Sequence, residues 1–227
     1  MKNILARGGI EFLAVLLGIS GSLWIDDWST SRSDVSEEYS AYERLSKAMG
    51  NDIVNIEKEL EKNNKMVEII NHLITNIENI SADSLTLYID QTQSYVTLMP
   101  QISDYEALKS TGKLYKISDF DLLQKIIDLY DNKYGEIDRL VVEDKRAIFM
   151  QDEFFIKNYA MQPAKQWTTL KDAKTDLIRI KGDKIYMNYL VFIYKVKTEV
   201  NQRWTTLIDD IKIVKNEIDL KKQNKVN

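Results

Sequence analysis

Few side chains in this 227-residue sequence are suited to covalent or metal chemistry. The sequence contains no cysteine, which excludes disulfides, thiolate catalysis, cysteine-ligated zinc and iron–sulfur clusters. It contains one histidine, His72, so a single subunit cannot form a metal site of several histidines. It also has no G-x-S-x-G nucleophile motif, P-loop or dinucleotide-binding fingerprint. We therefore expect no enzymatic activity, no cofactor and no bound metal.

Adjacent carboxylates are the most frequent pattern that could bear chemistry. Hydrolysis by two carboxylates needs an acid and a base across a cleft, whereas neighbouring residues of a helix point in different directions. We interpret the pairs as parts of solvated helix faces, and His72 as an exposed or partly buried helix residue. The pairs are Asp26-Asp27, Glu37-Glu38, Asp152-Glu153 and Asp209-Asp210.

Glu11 is the only ionisable residue in the apolar run of residues 10–25. A carboxylate is costly in lipid, so two environments are considered. Glu11 pairs with Arg7, four residues earlier, at the cytoplasmic interface, or it forms a ring of carboxylates in an oligomer. Asp26 and Asp27 would form a second ring at the other end of the run, and acidic rings favour cations. The alternative function is therefore a subunit of an oligomeric cation-conducting pore.

The element that carries these acids is the candidate membrane span. Residues 8–28 supply about twenty mostly apolar residues, which is the length a helix needs to cross a bilayer. A secretory signal peptide is the main competing interpretation. However, the run ends in the bulky residues Leu23, Trp24 and Ile25, unlike a small-residue cleavage site. We predict an uncleaved, single-pass transmembrane helix with a cytoplasmic tip in residues 1–28.

The flanking charges predict the orientation of this helix. Lys2 and Arg7 precede the span, and Arg32 is the only nearby cation after it. The positive-inside rule places the N-terminus in the cytoplasm and the C-terminal domain outside, which is the periplasm for a bacterial inner membrane. Trp24 and Trp28 are four residues apart, share one side of the helix and suit the outer interfacial belt.

Small residues recur along the same helix. Ala14, Gly18 and Ser22 follow one another at four-residue steps, a pattern that permits close approach of helices in lipid. Glu11 lies on about the same side. The pattern predicts a homo-oligomer packed through this side, with the lipid bilayer and another membrane protein as further partners.

The remainder of the chain is predicted to be helical. The sequence has only 8 Gly and 2 Pro, and few helix breakers favour long helices. We expect an all-α fold in which residues 37–227 form an antiparallel bundle of long helices, after a linker or helix continuation at residues 29–36. The net charge of −4 provides no basic field, so nucleic acid is not expected as a partner.

Two long apolar seams delimit this bundle. Residues 37–80 show steps of three and four that Asn63 and Asn64 interrupt, so residues 62–65 mark either a polar break in one helix or a junction of two. The last helix follows Gly182 and Asp183. Its seam consists of Ile193, Val196, Val200, Trp204, Leu207, Ile211, Val214 and Ile218.

Shorter helices are expected between the seams, with an irregular connection after Pro163. Their boundaries are predicted from capping residues. They are a helix from Ser84 to about residue 97, a helix between the Ser103/Glu106 capping box and Gly112, a helix opened by Ser118, and a helix over about residues 130–159.

Two motifs carry a resemblance to a known family. The anchor has the form E-F-L-x-x-x-L-G-I-S-x-S-x-W-x-x-x-W, and a later segment has the form Y-E-x-L-K-S-x-G-x-L. Together they resemble a family of short membrane-anchored proteins of unknown function, common in Bacteroidota. The resemblance implies a bacterial envelope location and supplies no activity. The matching residues are Glu11, Phe12, Leu13, Leu17, Gly18, Ile19, Ser20, Ser22, Trp24, Trp28, Tyr105, Glu106, Leu108, Lys109, Ser110, Gly112 and Leu114.

These features favour a non-enzymatic, self-associating membrane protein that acts as a scaffold or a sensor-like component of an envelope assembly. A ligand-binding bundle is a third interpretation. It would require an apolar pocket lined by residues such as Trp167 and Trp204.

Overall fold

The structure is a computed structural model that describes the backbone of residues 2–97, 100–163 and 168–224. Within these ranges it describes the side chains of residues 16–26, 32–97, 100–163, 169–172 and 175–223. The helices are α1 (Lys2–Asn76), α2 (Ala82–Thr92), α3 (Ser103–Ser110), α4 (Phe120–Ile127), α5 (Tyr134–Asn158), α6 (Ala173–Lys181) and α7 (Lys184–Asn224). Short 3-10 helices span Ile77–Asn79 and Lys113–Lys116, and a π-helical segment, Asp128–Lys133, joins α4 to α5.

Helix α1 is continuous over 75 residues, which corresponds to about 110 Å at 1.5 Å per residue. Residues 29–36 are therefore part of a helix. The alternative of a helix junction at residues 62–65 is wrong, because α1 passes through them without a break. The polar interruption itself is buried: Asn63 is 1% exposed, and its amide donates to the carbonyl of Lys197 at 3.0 Å.

The long helices form the expected antiparallel bundle. Helix α7 runs antiparallel to α1, because Ser46 bonds Asp219 near one end and Asn63 bonds Lys197 farther along. It also runs antiparallel to α5, because Lys133, just before α5, pairs with Asp210, whereas Asp144 farther along α5 pairs with the earlier residue Lys197. Helix α7 is thus the central element. The predicted seam of α7 is confirmed, since seven of its eight residues are buried and Val196 is partly buried.

A short β-hairpin lies where an irregular connection was expected. Strand β1 (Met161–Pro163) pairs antiparallel with β2 (Thr168–Leu170), and Met161 lies opposite Leu170. Apart from this hairpin, the regular secondary structure of the described residues is helical.

Two predicted helix starts are displaced. The cap of α2 is Ser81, whose hydroxyl accepts from the amide of Ser84, and α2 already ends at Thr92. Helix α4 is capped by Asp119, whose carboxylate accepts from the amide of Leu122. Ser118 is unavailable as a cap because its hydroxyl donates to a carboxylate of α1.

The predicted capping box of α3 is also wrong. The N-cap position is Ile102, and no side chain caps this helix. Ser103 lies inside the first turn instead. The predicted end is confirmed: Gly112 has a φ of +73°, the left-handed conformation that glycine adopts without steric cost.

Among the residues whose side chains the structure describes, no helical stretch is both long and apolar enough to cross a membrane. Of the residues predicted to form the span, Glu11, Ala14, Asp27 and Trp28 lie outside the described side chains.

Candidate functional site

The N-terminal part of α1 projects from the bundle with apolar side chains exposed. Leu17 is 70% exposed, Leu23 61% and Trp24 74%. No described side chain in residues 16–26 is buried, and the first described side chain of α1 that is buried is Glu38. This segment is the clearest candidate interaction site, because large apolar side chains are exposed on successive turns.

The predicted packing face consists of Ala14, Gly18 and Ser22, and the structure describes the surroundings of Gly18 and Ser22. A Cβ atom built at Gly18 would have no heavy atom within 4 Å, so this side of the helix is open. The hydroxyl of Ser22 donates to the carbonyl of Ile19 at 2.9 Å, which satisfies its donor within the helix. Asp26 is exposed at the end of the same segment. The structure brings none of these described residues into contact with another element.

A set of polar contacts ties α1 to the bundle just beyond this segment. Asp34 lies 2.8 Å from Lys116, and Glu37 lies 3.4 Å from Lys113. The interpretation of Glu37-Glu38 as a solvated pair is wrong for Glu38, which is 3% exposed. Its carboxylate accepts from the amide and the hydroxyl of Ser118, at 2.8 and 2.7 Å.

A second polar cluster lies inside the bundle. The ammonium of Lys197 donates to Asp144 at 2.9 and 3.2 Å, and to the side-chain oxygen of Asn63 at 3.2 Å. Lys197 and Asp144 are both fully buried. Burial lowers the pKa of Lys197, and the neighbouring carboxylate of Asp144 partly opposes this effect.

Asp144 and a further buried carboxylate, Asp52, both bind the segment between α2 and α3. Asp144 accepts from the amide of Val96 at 2.8 Å, and Asp52 accepts from the amide of Gln101 at 2.9 Å. The hydroxyl of Tyr134 also donates to Asp52 at 2.7 Å. Burial raises the pKa of Asp52, and these two hydrogen bonds oppose the shift. The two carboxylates therefore satisfy backbone amides that lack partners in a helix or sheet.

The motif Y-E-x-L-K-S-x-G-x-L forms a structural junction. Tyr105 is buried and stacks on Tyr130 with ring centroids 4.4 Å apart. Its hydroxyl donates to Asp131 at 2.9 Å, and Lys109 binds the same carboxylate at 2.7 Å. Burial and the neighbouring Asp131 raise the pKa of Tyr105 to about 12. These contacts fix α3 against the π-helical segment.

Open surface recesses lined by described residues include the following two. One, of about 520 Å³, lies along the exposed face of α7 and includes Tyr194, Glu199 and Arg203. The other, of about 230 Å³, lies between the π-helical segment and α7. Trp204 lines neither recess because its indole is fully buried in the core, and Trp167 lies outside the described residues.

His72 and the carboxylate pair Asp152-Glu153, which the sequence analysis considered for chemistry, lie on different helices. His72 is exposed, as predicted, and contacts the ring of Tyr88 at 5.5 Å. Asp152 is half-buried, so its pair with Glu153 is only partly solvated. Among the described side chains, no group of three or more His, Asp and Glu residues is placed to hold a metal ion.

Lys197 and Asp144 were not predicted, although the sequence contains a signal for one of them. Lys197 lies at steps of four and three from Ile193 and Val200, on the same face as the apolar seam of α7. A lysine on a buried face needs a carboxylate partner. The sequence could not indicate that Asp144, 53 residues earlier, is that partner.

Comparison with protein-family models, curated proteins and solved structures gives no match to this chain.

Proposed function

We propose that this chain is a membrane-anchored helical scaffold or sensor-like component of a bacterial envelope assembly. Residues 8–28 serve as a single-pass anchor in the inner membrane, with the N-terminus in the cytoplasm and the bundle in the periplasm. The anchor associates with other copies through the face that carries Ala14, Gly18 and Ser22.

The observation that carries the proposal is the continuity of α1. One helix passes from the exposed apolar segment into the bundle, where it packs against α7 along its length. Exposed apolar surface is favourably removed from water at about 25 cal/mol per Å². Leu17, Leu23 and Ile25 are each more than half exposed, so a lipid or protein environment suits this segment better than water does.

The same continuity supports a scaffold or sensor-like role. Because α1 has no loop between residues 26 and 38, a rotation or tilt of the anchor is transmitted directly to the bundle. The contacts at Asp34 and Glu38 begin as soon as the helix reaches the bundle.

Self-association is supported by the open face at Gly18. No heavy atom would contact an added Cβ there, so a second helix can approach the backbone closely. Ser22 adds no bulk, and its hydroxyl bonds its own helix, which leaves no unpaired donor at a lipid-exposed contact.

The use of the buried charged groups supports a non-enzymatic role. Lys197, Asp144 and Asp52 all bond other parts of the fold and are 0% exposed. A catalytic group must reach its substrate. The cation-conducting pore remains a prediction from Glu11, Asp26 and Asp27.

The test combines vesicle flotation with measurement of the mass of the intact complex in a native-like bilayer mimic. We expect the full chain to float with vesicles, to resist extraction at alkaline pH and to form a discrete oligomer. Gly18→Leu should weaken the oligomer by tenfold or more, whereas Ser20→Leu, about 200° around the helix, should leave it intact. A chain that stays in solution, or that is monomeric at every concentration, contradicts the proposal.

A further inference from the structure

Two aromatic side chains are exposed at the end of the bundle from which α1 projects. Tyr115 is 58% exposed and Phe120 is 67% exposed. Tyr115 lies in the 3-10 helix that contacts α1 through Lys113 and Lys116. Phe120 is the first residue of α4, which runs away from this end.

Two aliphatic residues extend this surface. Val35 on α1 is 52% exposed and adjoins Asp34, which pairs with Lys116. Leu220 on α7 is 58% exposed and adjoins Lys221, whose ammonium lies 2.6 Å from Asp119. The ion pairs of the neighbouring residues place Val35, Tyr115, Phe120 and Leu220 at this same end of the bundle, and we call these four exposed residues the basal patch.

The charges around the basal patch are balanced. Lys113, Lys116, Lys221 and Lys222 each lie within 4 Å of a carboxylate. The patch therefore combines exposed aromatic and aliphatic groups with lysine side chains and little net charge. This composition is typical of residues at a membrane–water interface, where aromatic rings lie at headgroup depth and lysines reach outward.

The position of the patch along α1 brings it close to a membrane. Asp34 follows Ile25 by nine residues, which is about 14 Å along the helix axis. The headgroup region adds about 5–8 Å on each side of the hydrocarbon core, and membrane helices tilt by about 20° on average. Such a tilt lowers one side of the bundle, so long side chains on that side reach the headgroups.

We infer that the basal patch contacts the phospholipid headgroups of the membrane in which α1 is anchored. The bundle then leans on the bilayer surface, and its tilt is fixed by a second contact besides the helix itself. This inference rests on the proposed anchor. The contact is with the headgroups of the leaflet that faces the bundle, and it does not require a second copy of the chain.

The absence of cysteine permits unique labelling. Single variants Phe120→Cys, Ile178→Cys and Ser20→Cys each carry one nitroxide in the full chain, reconstituted in nanodiscs of phosphatidylcholine and phosphatidylglycerol that hold one copy. Collision with a water-soluble nickel chelate is measured. Ile178 is the matched control, because it is 76% exposed on α6. Helix α6 lies at the opposite end of the bundle, where Lys181 bonds the carbonyl of Ile80.

We expect the label at position 120 to be at least threefold less accessible to nickel than the label at position 178, and the label at position 20 to be shielded. Equal accessibility at positions 120 and 178, with position 20 shielded, overturns the inference and leaves the anchor intact. Free access at position 20 contradicts the anchor itself. Shielding of position 120 that appears only in nanodiscs with several copies identifies a second chain as the occupant and also overturns the inference.

Discussion

Lys197 and Asp144 form a fully buried ion pair between α7 and α5. The removal of two charges from water is costly, and the pair persists because Asn63 and the amide of Val96 satisfy further hydrogen bonds. Such a pair specifies which residues of α1, α5 and α7 lie at the same height. At this scale the sequence indicates a polar break at Asn63, but it does not identify Asp144 as the partner.

Removal of one member of this pair should be strongly destabilising. Lys197→Met leaves the carboxylate of Asp144 buried without a cation, so we expect a loss of about 3–5 kcal/mol in the free energy of unfolding. Lys197→Met with Asp144→Asn should recover much of this loss, because asparagine still accepts from Val96. Urea denaturation in detergent measures both.

The matched control is Lys212→Met, which removes a half-exposed ion pair with Glu57. Its expected cost is below about 1 kcal/mol. Equal losses for Lys197→Met and Lys212→Met would contradict the role of burial.

Asp52 should make stability depend on pH. Its folded pKa is raised above its ordinary value of 3.8, mainly by burial. At pH values between the ordinary pKa and the raised pKa, Asp52 holds a proton in the folded protein that it has released in the unfolded chain. The free energy of unfolding therefore falls as pH rises through this interval.

Asp52→Asn removes this titration and keeps an acceptor for Gln101. We expect the stability of the native chain, relative to this variant, to decline as pH rises from about 4 through the raised pKa of Asp52. Urea midpoints at several pH values measure the difference. A difference that is constant with pH, or that grows in favour of the native chain, contradicts the raised pKa.

Helix ends show where local sequence signals succeed and fail. Gly112 ends α3 as expected, because a left-handed position selects glycine. Ser118 and Ser103 do not cap their helices. Ser118 bonds the buried Glu38, a tertiary contact that no local pattern contains. Apolar periodicity located the long helices well, because burial of one face depends on spacing alone.

The conformation of Gly112 can be tested against a helical glycine. Gly112→Ala should cost about 1 kcal/mol, because alanine is strained at a φ of +73°. Gly135→Ala, inside α5 with no heavy atom within 4 Å of the added Cβ, should stabilise by about 0.5–1 kcal/mol. Thermal or urea unfolding measures both, and changes of the same sign would contradict this assignment.

The molecule is a helical bundle built around α7. The C-terminal half of α1 packs in this bundle, and the N-terminal part of α1 projects from it. The sequence predicted the all-α antiparallel bundle, because two apolar seams require partners. It did not predict that the segment between α2 and α3 is held by Asp52 and Asp144, since those contacts join residues about fifty positions apart. The β-hairpin after α5 was missed for a different reason: its strands are only three residues long, too short to show an alternating pattern.

The central claim is that α1 continues as one helix from the exposed apolar segment into the bundle. A distance between two spin labels, one on each part, tests this claim most directly. Ser22 and Val54 are both exposed and are 32 positions apart, so cysteine labels there should be about 48 Å apart in one straight helix. Pulsed electron–electron double resonance on the full chain in nanodiscs should give a single narrow distribution of label-to-label distances near that value. A broad distribution, or a mean distance below about 40 Å, would show that the projecting segment and the bundle are not joined by one helix.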